Sequence, residues 1–211
     1  MKKATRTAVL IGLFVAPAMA SQVENGNFDL VKDGRTVSWN SVGTKYVYRD
    51  GEGRNATRAL VYSNDDPDFY TYPSQRIELK PGRVYEYEIW VRTEDLKGGG
   101  ASICIEWSDA NGRYLGGTYG GKVKGTRDWT RIHGTTCRIP ANATGFCVHP
   151  YATKGSVGKA WFDDLMVREY VLAPVEGVYP PAYRNLAADG AVTFKAALNL
   201  KLEEVPTHTV W

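Results

Sequence analysis

The chain has 211 residues, of which 43% are hydrophobic and 12% aromatic, and its formal net charge is +3. This positive charge comes from Lys2, Lys3 and Arg6, because without them the basic and acidic residues are equal in number. A nearly neutral chain has no basic surface for nucleic acid or an anionic membrane, which argues against both as partners. The length allows one domain with a smaller appendage.

The first 20 residues have the pattern of a secretory signal peptide. Basic residues precede an apolar run over residues 8–15, and Ala18-Met19-Ala20 ends in a small-residue cleavage site. We therefore expect residues 1–20 to be removed and the remaining chain to be secreted, extracellular or periplasmic, from a bacterium. No later stretch of the sequence has the apolar length of a membrane-spanning segment.

Residues 21–170 are predicted to form one all-β domain, because apolar and polar residues alternate in short runs between turn residues. The predicted strands are residues 23–30, 45–49, 59–62, 69–79, 84–92, 102–107, 128–136, 145–152 and 160–169. No crossover helix separates them, so the connections must be antiparallel hairpins or longer Greek-key returns. The simplest arrangement is an antiparallel jelly-roll β-sandwich of two sheets.

Turn residues between these strands predict their connections. Lys80-Pro81-Gly82 has proline and glycine where a type II turn places them. Asn111-Gly112 predicts a hairpin in which both residues are left-handed. The stretches 94–100 and 114–124 are rich in glycine and are predicted to be a turn and a loop.

The most informative strand is residues 85–92, because its two sides differ in chemistry. One side is suited to the core: Tyr85, Tyr87, Ile89 and Val91. The other side carries Glu86, Glu88, Trp90 and Arg92. An indole among charged groups suits a sugar ring, whose C–H groups stack on the indole while its hydroxyls hydrogen bond with the charges.

The outward sides of neighbouring strands complete a candidate carbohydrate site. The set is Trp90, Arg92, Glu88, Glu106, Tyr151, His149, Tyr70 and Tyr72. The hypothesis requires these side chains to converge on one shallow trough. In the alternative, Trp90 covers the sheet and His149 is a satisfied imidazole on a sheet face.

Glu88 and Glu106 allow a second interpretation. Two carboxylates on either side of a glycosidic bond can act as general acid and base, provided that their separation is suitable. The sequence does not show that separation. No zinc-like spacing of His and Cys, no nucleophile elbow and no phosphate-binding glycine loop is present.

Five segments resemble those of the CenC-like carbohydrate-binding modules of families four, nine and twenty-two. They are, in order, VENGNFD (23–29), LKPGRVY (79–85), SDANG (108–112), GTRDW (125–129) and AWFDDL (160–165). Together they span the chain from residue 23 to about residue 170. The resemblance implies a galactose-binding-like β-sandwich with a sugar-binding cleft on its concave sheet.

The same resemblance implies a structural calcium ion between the first and last strands. Asp29 and Asp164 stand at the acidic positions expected there, with Asp163 second to Asp164. Carboxylate oxygens are ligands that Ca²⁺ prefers, and backbone carbonyls would complete the shell. Alternatively, Asp163 and Asp164 are a surface pair at the end of a strand.

Three cysteines in an exported chain cannot all pair internally. Cys137 and Cys147 could join the two sides of the hairpin through residues 140–145, but the spacing does not choose between the possible pairs. Three free thiols, including Cys104, are equally compatible with the sequence.

The C-terminal part is predicted to be separate from the sandwich. Residues 171–184 form a Pro-rich linker, and residues 185–211 alternate like the start of a second, truncated β-type domain. We expect the chain to continue beyond Trp211, either into a second sandwich or into a covalently linked catalytic domain of a glycoside hydrolase or lyase.

The sequence thus predicts a secreted, non-catalytic module that binds a polysaccharide or oligosaccharide and holds it near a linked enzyme. The alternatives are a cell-surface adhesion or structural sandwich without a glycan ligand, and a small glycosidase. The sequence does not name the sugar, and cellulose, xylan, β-glucan and algal or host glycans all remain open.

Overall fold

The computed structural model describes residues 20–40, 43–171, 175–179 and 195–198. The predicted signal peptide, up to residue 19, lies outside these residues and stays a prediction. Most of the predicted second β segment also lies outside them. Within the described ranges, no helix has the length and hydropathy needed to span a membrane.

The described residues contain strands and no helix, which confirms the all-β prediction. The strands are β1 (Val31–Lys32), β2 (Arg35–Thr36), β3 (Tyr46–Arg49), β4 (Ala59–Asn64), β5 (Gln75–Arg76), β6 (Tyr85–Ser108), β7 (Tyr114–Tyr119), β8 (Val123–Thr135), β9 (Gly145–Ala152), β10 (Val157–Glu169), β11 (Val175–Tyr179) and β12 (Lys195–Leu198). The predicted opening strand is mostly turn, and the predicted strand 69–79 is reduced to β5. The predicted loop at residues 114–124 contains β7 instead.

The long strand β6 belongs to two sheets. Its first half lies between β10 and β8, and its second half lies between β9 and β7. Strands β3 to β10 are all hydrogen-bonded, through β6, into one curled sheet, and we call its two layers the first and the second sheet. The first sheet has the order β3-β4-β10-β6-β8, and the second has the order β5-β9-β6-β7. All of these pairs are antiparallel, as the jelly-roll prediction requires.

The bend in β6 occurs where the sequence predicts a glycine-rich turn. The strand continues through residues 94–100, but its register with β8 shifts three times between Val91 and Ala101. Gly98 has a φ of +87°, and a Cβ atom at this position would lie 2.2 Å from the carbonyl oxygen of Gly155. Glycine is needed here because only a residue without a side chain allows the chain to bend and pass this close.

The core lies between the two sheets and confirms the inward side predicted for residues 85–92. The first sheet contributes Leu60, Tyr62, Tyr87, Ile89, Val91 and Phe162, and the second contributes Ile103, Ile105, Trp107, Phe146 and Val148. Because successive side chains of a strand point in opposite directions, the residues between these point away from the core. The outward sides of the two sheets therefore lie on opposite sides of the sandwich.

One hairpin turn differs from its prediction. Gly112 is left-handed, with a φ of +78°, but Asn111 is not among the residues with positive φ. The amide of Gly112 donates to the carbonyl of Asp109, and the amide of Asp109 donates to the carbonyl of Arg113. This is a four-residue turn followed by a glycine bulge, which needs one left-handed residue instead of two.

The chain divides into two compact units, and one of them is Met19–Tyr170. In the other unit, β11 and β12 pair antiparallel. Strand β11 falls within residues 171–184, which the sequence predicts to be a linker, and β12 falls within the predicted second β segment.

Candidate functional site

The eight predicted carbohydrate-binding residues lie on two different faces of the sandwich. Glu88, Trp90 and Arg92 are on the outward side of the first sheet. Glu106, His149 and Tyr151 are on the outward side of the second sheet, where Tyr70 and Tyr72 cover them. The single trough that would contain all eight is not formed, because β6 passes from one sheet to the other between Arg92 and Glu106.

We call the first of these surfaces the tryptophan face, which consists of Arg54, Trp90, Arg92, Trp129 and Trp161. We call the second the tyrosine surface, which consists of Tyr70, Tyr72, Glu106, Tyr114, Tyr119, His149 and Tyr151. Two of its residues, Tyr114 and Tyr119, are not among those that the sequence singled out.

Glu106 stands at the middle of the tyrosine surface, on the second half of β6. The hydroxyl of Tyr119 donates to Oε1 of Glu106 at 2.9 Å, and the hydroxyls of Tyr114 and Tyr119 are 2.8 Å apart. On the other side of Glu106, Nε2 of His149 lies 3.7 Å from Oε2. Glu106 therefore joins β7 to β9 through polar side chains.

His149 contacts a backbone carbonyl group through its ring nitrogen and is packed against neighbouring tyrosine rings. Its Nδ1 lies 3.2 Å from the carbonyl oxygen of Pro73. The ring of Tyr72 lies 5.0 Å from the imidazole, 5.3 Å from the ring of Tyr70 and 5.9 Å from that of Tyr151. The segment before β5 thus places an aromatic wall beside Glu106, across from the wall that β7 supplies.

The tyrosine surface presents rings to solvent as well as hydrogen-bonding groups. Tyr70, Tyr114 and Tyr119 are 47%, 56% and 50% exposed, whereas Tyr151 and His149 are buried beneath them. Exposed phenol rings can stack on the C–H faces of a sugar, and a carboxylate can accept hydrogen bonds from its hydroxyls. This arrangement suits the binding of an uncharged, hydroxylated ligand.

Burial determines which groups of this surface are charged. Loss of water around the imidazole lowers the pKa of His149, although the nearby Glu106 carboxylate opposes this effect. Burial raises the pKa of Tyr72 and of Tyr151 to about 12. Burial, followed by the hydrogen bonds with Tyr114 and Glu106, also raises the pKa of Tyr119. The phenols remain protonated near neutral pH and keep their O–H groups as donors.

Strand β7 explains why the sequence did not identify Tyr114 and Tyr119. The glycines of the stretch YLGGTYGG predict a loop. This stretch pairs with the second half of β6, so that Tyr119 lies across from Cys104 and Tyr114 across from Ser108. The signal available in the sequence for these two site residues was a pair of tyrosines on either side of a glycine run.

The tryptophan face differs because charged groups cover its rings. The guanidinium of Arg54 lies 3.9 Å from the centre of the Trp90 ring. The indole N–H of Trp90 donates to Glu88 at 3.0 Å, and Glu88 in turn accepts from Arg131 at 2.6 Å. The Trp90 ring is therefore engaged within the protein, and its role as a sugar platform stays a prediction.

Trp161 is the buried centre of this face. It lies with Ala59 and Val61 in a small apolar cluster that is separate from the main core. Its indole N–H donates to Glu52 at 2.7 Å, and the guanidinium of Arg92 lies 4.1 Å from its ring. These contacts hold the segment between β3 and β4 against the first sheet.

The glycosidase alternative requires Glu88 and Glu106 to face the same bond. They lie on opposite sides of the core, since Glu88 contacts Trp90 and Arg131 whereas Glu106 contacts Tyr119 and His149. Two carboxylates so placed cannot act together as general acid and base. This pair, which was the basis of that alternative, is not formed.

The aspartates expected to bind calcium are engaged by other donors. Asp163 accepts from the backbone amides of Arg54 and Asp164 at 2.8 and 2.7 Å, and burial raises its pKa. Asp164 lies 3.0 Å from the guanidinium of Arg54. Asp29 accepts from the amide of Arg58 at 2.9 Å.

These contacts do not form a calcium shell. Within the described part of the chain, no group of three or more His, Cys, Asp or Glu side chains is arranged to hold a metal ion. A guanidinium beside Asp164 supplies the positive charge that a cation would otherwise bring. Calcium binding remains a prediction from the resemblance.

The three cysteines are free thiols in the structure. Cys104 is buried, Cys147 is half-buried and Cys137 is exposed. Burial raises the pKa of both Cys104 and Cys147, which lie on β6 and β9 beneath the tyrosine surface. Both are therefore thiols and not thiolates near neutral pH.

Clefts of the described residues also lie away from the tyrosine surface. One, of about 430 Å³, is lined by Ser21, Gln22, Glu24, Ser38, Gln75, Arg76, Ile77 and Glu78. Its polar groups bond to one another: Ser38 donates to Glu24 at 2.5 Å, and the Gln75 amide bonds to the backbone of Glu24 at 2.8 Å. These hydrogen bonds join the N-terminal segment to β5 along the cleft. Another, of about 290 Å³, lies beside Glu88 and Arg131.

Comparisons with known proteins give the fold. No protein-family model matches the chain, and no curated protein matches it. Among solved structures, the CBM22-1 xylan-binding domain of Paenibacillus barcinonensis Xyn10C is similar, with 14% identity and a TM-score of 0.51 over 70% of this chain and 94% of that chain. The structure therefore has the β-sandwich fold of carbohydrate-binding modules, as the resemblance implied.

Two similar structures belong to longer chains. One contains the CBM22-1 and GH10 modules of the Clostridium thermocellum xylanase 10B complexed with xylohexaose, with 19% identity and a TM-score of 0.50 over 72% of this chain. The other is the arabinose-bound α-L-arabinofuranosidase MgGH51, with 14% identity and a TM-score of 0.55 over 72% of this chain. The chain spans 28% and 26% of these two chains.

Proposed function

We propose that the β-sandwich is a secreted, non-catalytic carbohydrate-binding module and that its tyrosine surface binds the glycan. The observation that carries this proposal is the row of exposed tyrosines on both sides of Glu106. The fold, shared with carbohydrate-binding modules, supports it.

The geometry divides the work of binding between rings and polar groups. Tyr70 on one side of Glu106 and Tyr114 and Tyr119 on the other offer exposed rings for stacking. The carboxylate of Glu106 has lone pairs beyond the one used by Tyr119, and these can accept hydrogen bonds from sugar hydroxyls. We expect micromolar to millimolar affinity, because the hydroxyls of a sugar exchange one set of hydrogen bonds for another and gain little net free energy.

Xylo-oligosaccharides are the first ligands to test. One similar structure is a xylan-binding domain and another is complexed with xylohexaose. We extend that ligand class to this chain as part of the proposal, together with a linked enzyme that acts on the same polysaccharide. Such a linkage would raise the local concentration of substrate at the enzyme.

The test is affinity gel electrophoresis with soluble polysaccharides, followed by isothermal titration calorimetry with xylohexaose and cellohexaose. We expect Tyr119→Ala and Tyr70→Ala each to weaken binding by about tenfold, the equivalent of one lost stacking contact. Tyr119→Phe separates the two contributions, because it keeps the ring and removes the hydroxyl that donates to Glu106.

Tyr170→Ala is the matched control, since Tyr170 is 43% exposed and is not part of the tyrosine surface. Its retardation in the gel should equal that of the wild-type protein. If the triple variant of Tyr70, Tyr114 and Tyr119 folds and is still retarded like the wild type, the site is elsewhere. If no polysaccharide retards the wild-type protein, the adhesion or structural alternative is favoured.

A further inference from the structure

The tryptophan face contains a guanidinium that has no carboxylate partner. Arg92 is directly across from Trp161 in the pairing of β6 with β10. Its guanidinium carbon is 4.1 Å from the centre of the Trp161 ring and 5.4 Å from that of Trp129. Among the described residues, Arg92 has no hydrogen-bond or ion-pair partner. Its nitrogens are not among the buried polar atoms that lack a partner.

Four carboxylates of the same region each pair with another cation: Glu52 with Arg49 at 3.7 Å, Glu88 with Arg131 at 2.6 Å, Glu94 with Lys159 at 2.7 Å and Asp164 with Arg54 at 3.0 Å. Asp163 and Asp128 accept from backbone amides instead. Glu52 also accepts from the indole of Trp161. None of these carboxylates pairs with Arg92, so its charge is left for a ligand.

The position of Arg92 determines which kind of ligand it can bind. Indole rings lie against the guanidinium, and its N–H groups reach solvent because the residue is only half-buried. A planar guanidinium held in one orientation offers two parallel N–H donors to a carboxylate. The half-exposed ring of Trp129 beside it can carry the sugar ring to which that carboxylate is attached.

We propose that Arg92 and Trp129 form a second glycan-binding site, on the side of the sandwich opposite the tyrosine surface, that recognises the carboxylate of a uronic acid residue. This site does not depend on the proposed function of the tyrosine surface. The two surfaces carry central side chains of opposite charge. Glu106 disfavours an anionic sugar on the tyrosine surface, whereas Arg92 attracts one to the tryptophan face. A chain with both would bind a polysaccharide that carries neutral and acidic residues at two points.

The test uses the full chain and three probes: an oligogalacturonate, its methyl ester and a sulfated cello-oligosaccharide. The indole N–H signals of Trp129 and Trp161 are followed by NMR during each titration. We expect the oligogalacturonate to shift both signals and the methyl ester, which has no carboxylate, to leave them in place. Equal shifts from the sulfated probe would support the site and widen its ligands to oxyanions in general.

Arg92→Lys keeps the charge but removes the planar pair of donors, so it should weaken uronate binding by about tenfold. Arg127→Lys, at an exposed arginine in β8, is the matched control and should leave the affinity unchanged. Tyr119→Ala should also leave it unchanged, which separates this site from the tyrosine surface. If Arg92→Lys does not fold, the test is the difference in indole N–H shifts between the oligogalacturonate and its methyl ester on the wild-type protein. Equal shifts from the two probes would contradict the proposal.

Three results would overturn the proposal. The first is an absence of indole shifts with the oligogalacturonate at millimolar concentration. The second is uronate binding that survives in folded Arg92→Lys or disappears in Tyr119→Ala. The third is a poly-glutamate peptide that binds Arg92 as well as the oligogalacturonate does, because the site would then recognise carboxylates without a sugar.

Discussion

The tyrosine surface and the tryptophan face are both aromatic, but they differ in what lies against the rings. On the tryptophan face, guanidinium groups lie 3.9 and 4.1 Å from the rings of Trp90 and Trp161, and both indole N–H groups donate to glutamates. On the tyrosine surface, three phenol rings are about half exposed. An aromatic residue at an outward strand position therefore indicates a binding surface only when no other side chain covers its ring.

The two regions also differ in how they are attached to the fold. Trp161 is 6% exposed and packs with Ala59 and Val61, so the tryptophan face acts as a second, smaller core on the outside of the first sheet. Tyr70 and Tyr114 lie at the surface and contact mainly other polar aromatic side chains. We therefore expect mutation of the buried Trp161 to change stability and mutation of the exposed tyrosines to change binding.

Removing the central indole should show the largest effect. Trp161→Ala takes away a buried ring, its hydrogen bond to Glu52 and its contact with Arg92, and we expect a loss of about 3–5 kcal/mol in the free energy of unfolding. Tyr114→Ala, at a residue that is 56% exposed, should cost less than about 1 kcal/mol. Urea denaturation followed by circular dichroism measures both. Equal losses would remove the distinction between the two regions.

A smaller loss of stability is expected when the Arg54 guanidinium that lies over the Trp90 ring is removed. Arg54→Gln removes the guanidinium from the ring and from Asp164, and we expect a loss of about 1 kcal/mol, since both contacts are half exposed. Fluorescence quenching by acrylamide should increase, because the Trp90 ring becomes accessible. Arg49→Gln, whose partner Glu52 keeps its bond to Trp161, serves as the comparison. Unchanged quenching would mean that another group covers the ring.

Acid should lower the stability of the fold in two different pH ranges, one set by His149 of the tyrosine surface and one by Glu88, which bonds to Trp90 of the tryptophan face. The pKa of His149 is lowered from its usual 6.5 by burial, so the unfolded chain binds the proton first and stability falls as the pH drops below about 6.5. The pKa of Glu88 is lowered from its usual 4.5, chiefly by its hydrogen bond with Arg131. Its contribution is present above pH 4.5 and is lost only as the pH falls through the lowered pKa.

Unfolding curves between pH 7 and pH 3 can separate these two contributions. His149→Gln should remove the upper part of the pH dependence, and Glu88→Gln the lower part. His133→Gln controls for the loss of an imidazole, since His133 lies across from Glu88 in the first sheet. A wild-type stability that is constant from pH 7 to pH 5 would show that His149 is not held neutral by the fold.

The smallest effect is expected from calcium. Because the guanidinium of Arg54 already lies beside Asp164, we expect calcium chloride to change the melting temperature by less than about 2 °C relative to a chelator. Differential scanning calorimetry measures the shift. An increase of several degrees that Asp164→Asn abolishes would instead establish the metal site that the family resemblance implies.

Much of the fold follows from local patterns in the sequence. The alternation of residues 85–92 correctly separates core from outward residues, and the five segments that resemble carbohydrate-binding modules correctly indicate the sandwich. Both are short-range signals, because the period of a strand and the residues of a turn depend on near neighbours. The turn at Asp109 shows their limit, since only one of its two predicted left-handed residues is left-handed.

The site was less predictable because it depends on which strands become neighbours. Glu88 and Glu106 have the same outward pattern on one continuous strand, yet the bend near Gly98 sends them to opposite sides of the core. The segment with Tyr70 and Tyr72 alternates like a strand but serves as a cover over the second sheet. Such outcomes depend on contacts between distant residues, which a local pattern does not contain.

The sharing of β6 between both sheets has a consequence for how the protein folds. Neither sheet has its full set of partners until all 24 residues of this strand are in place, and the strands that pair with it, β7 to β10, all come later along the chain. Most contacts therefore join residues far apart in sequence, which favours slow, cooperative folding without a stable half-sandwich. The two faces should consequently be lost in a single transition on heating, and neither could be transplanted as a fragment that ends within β6.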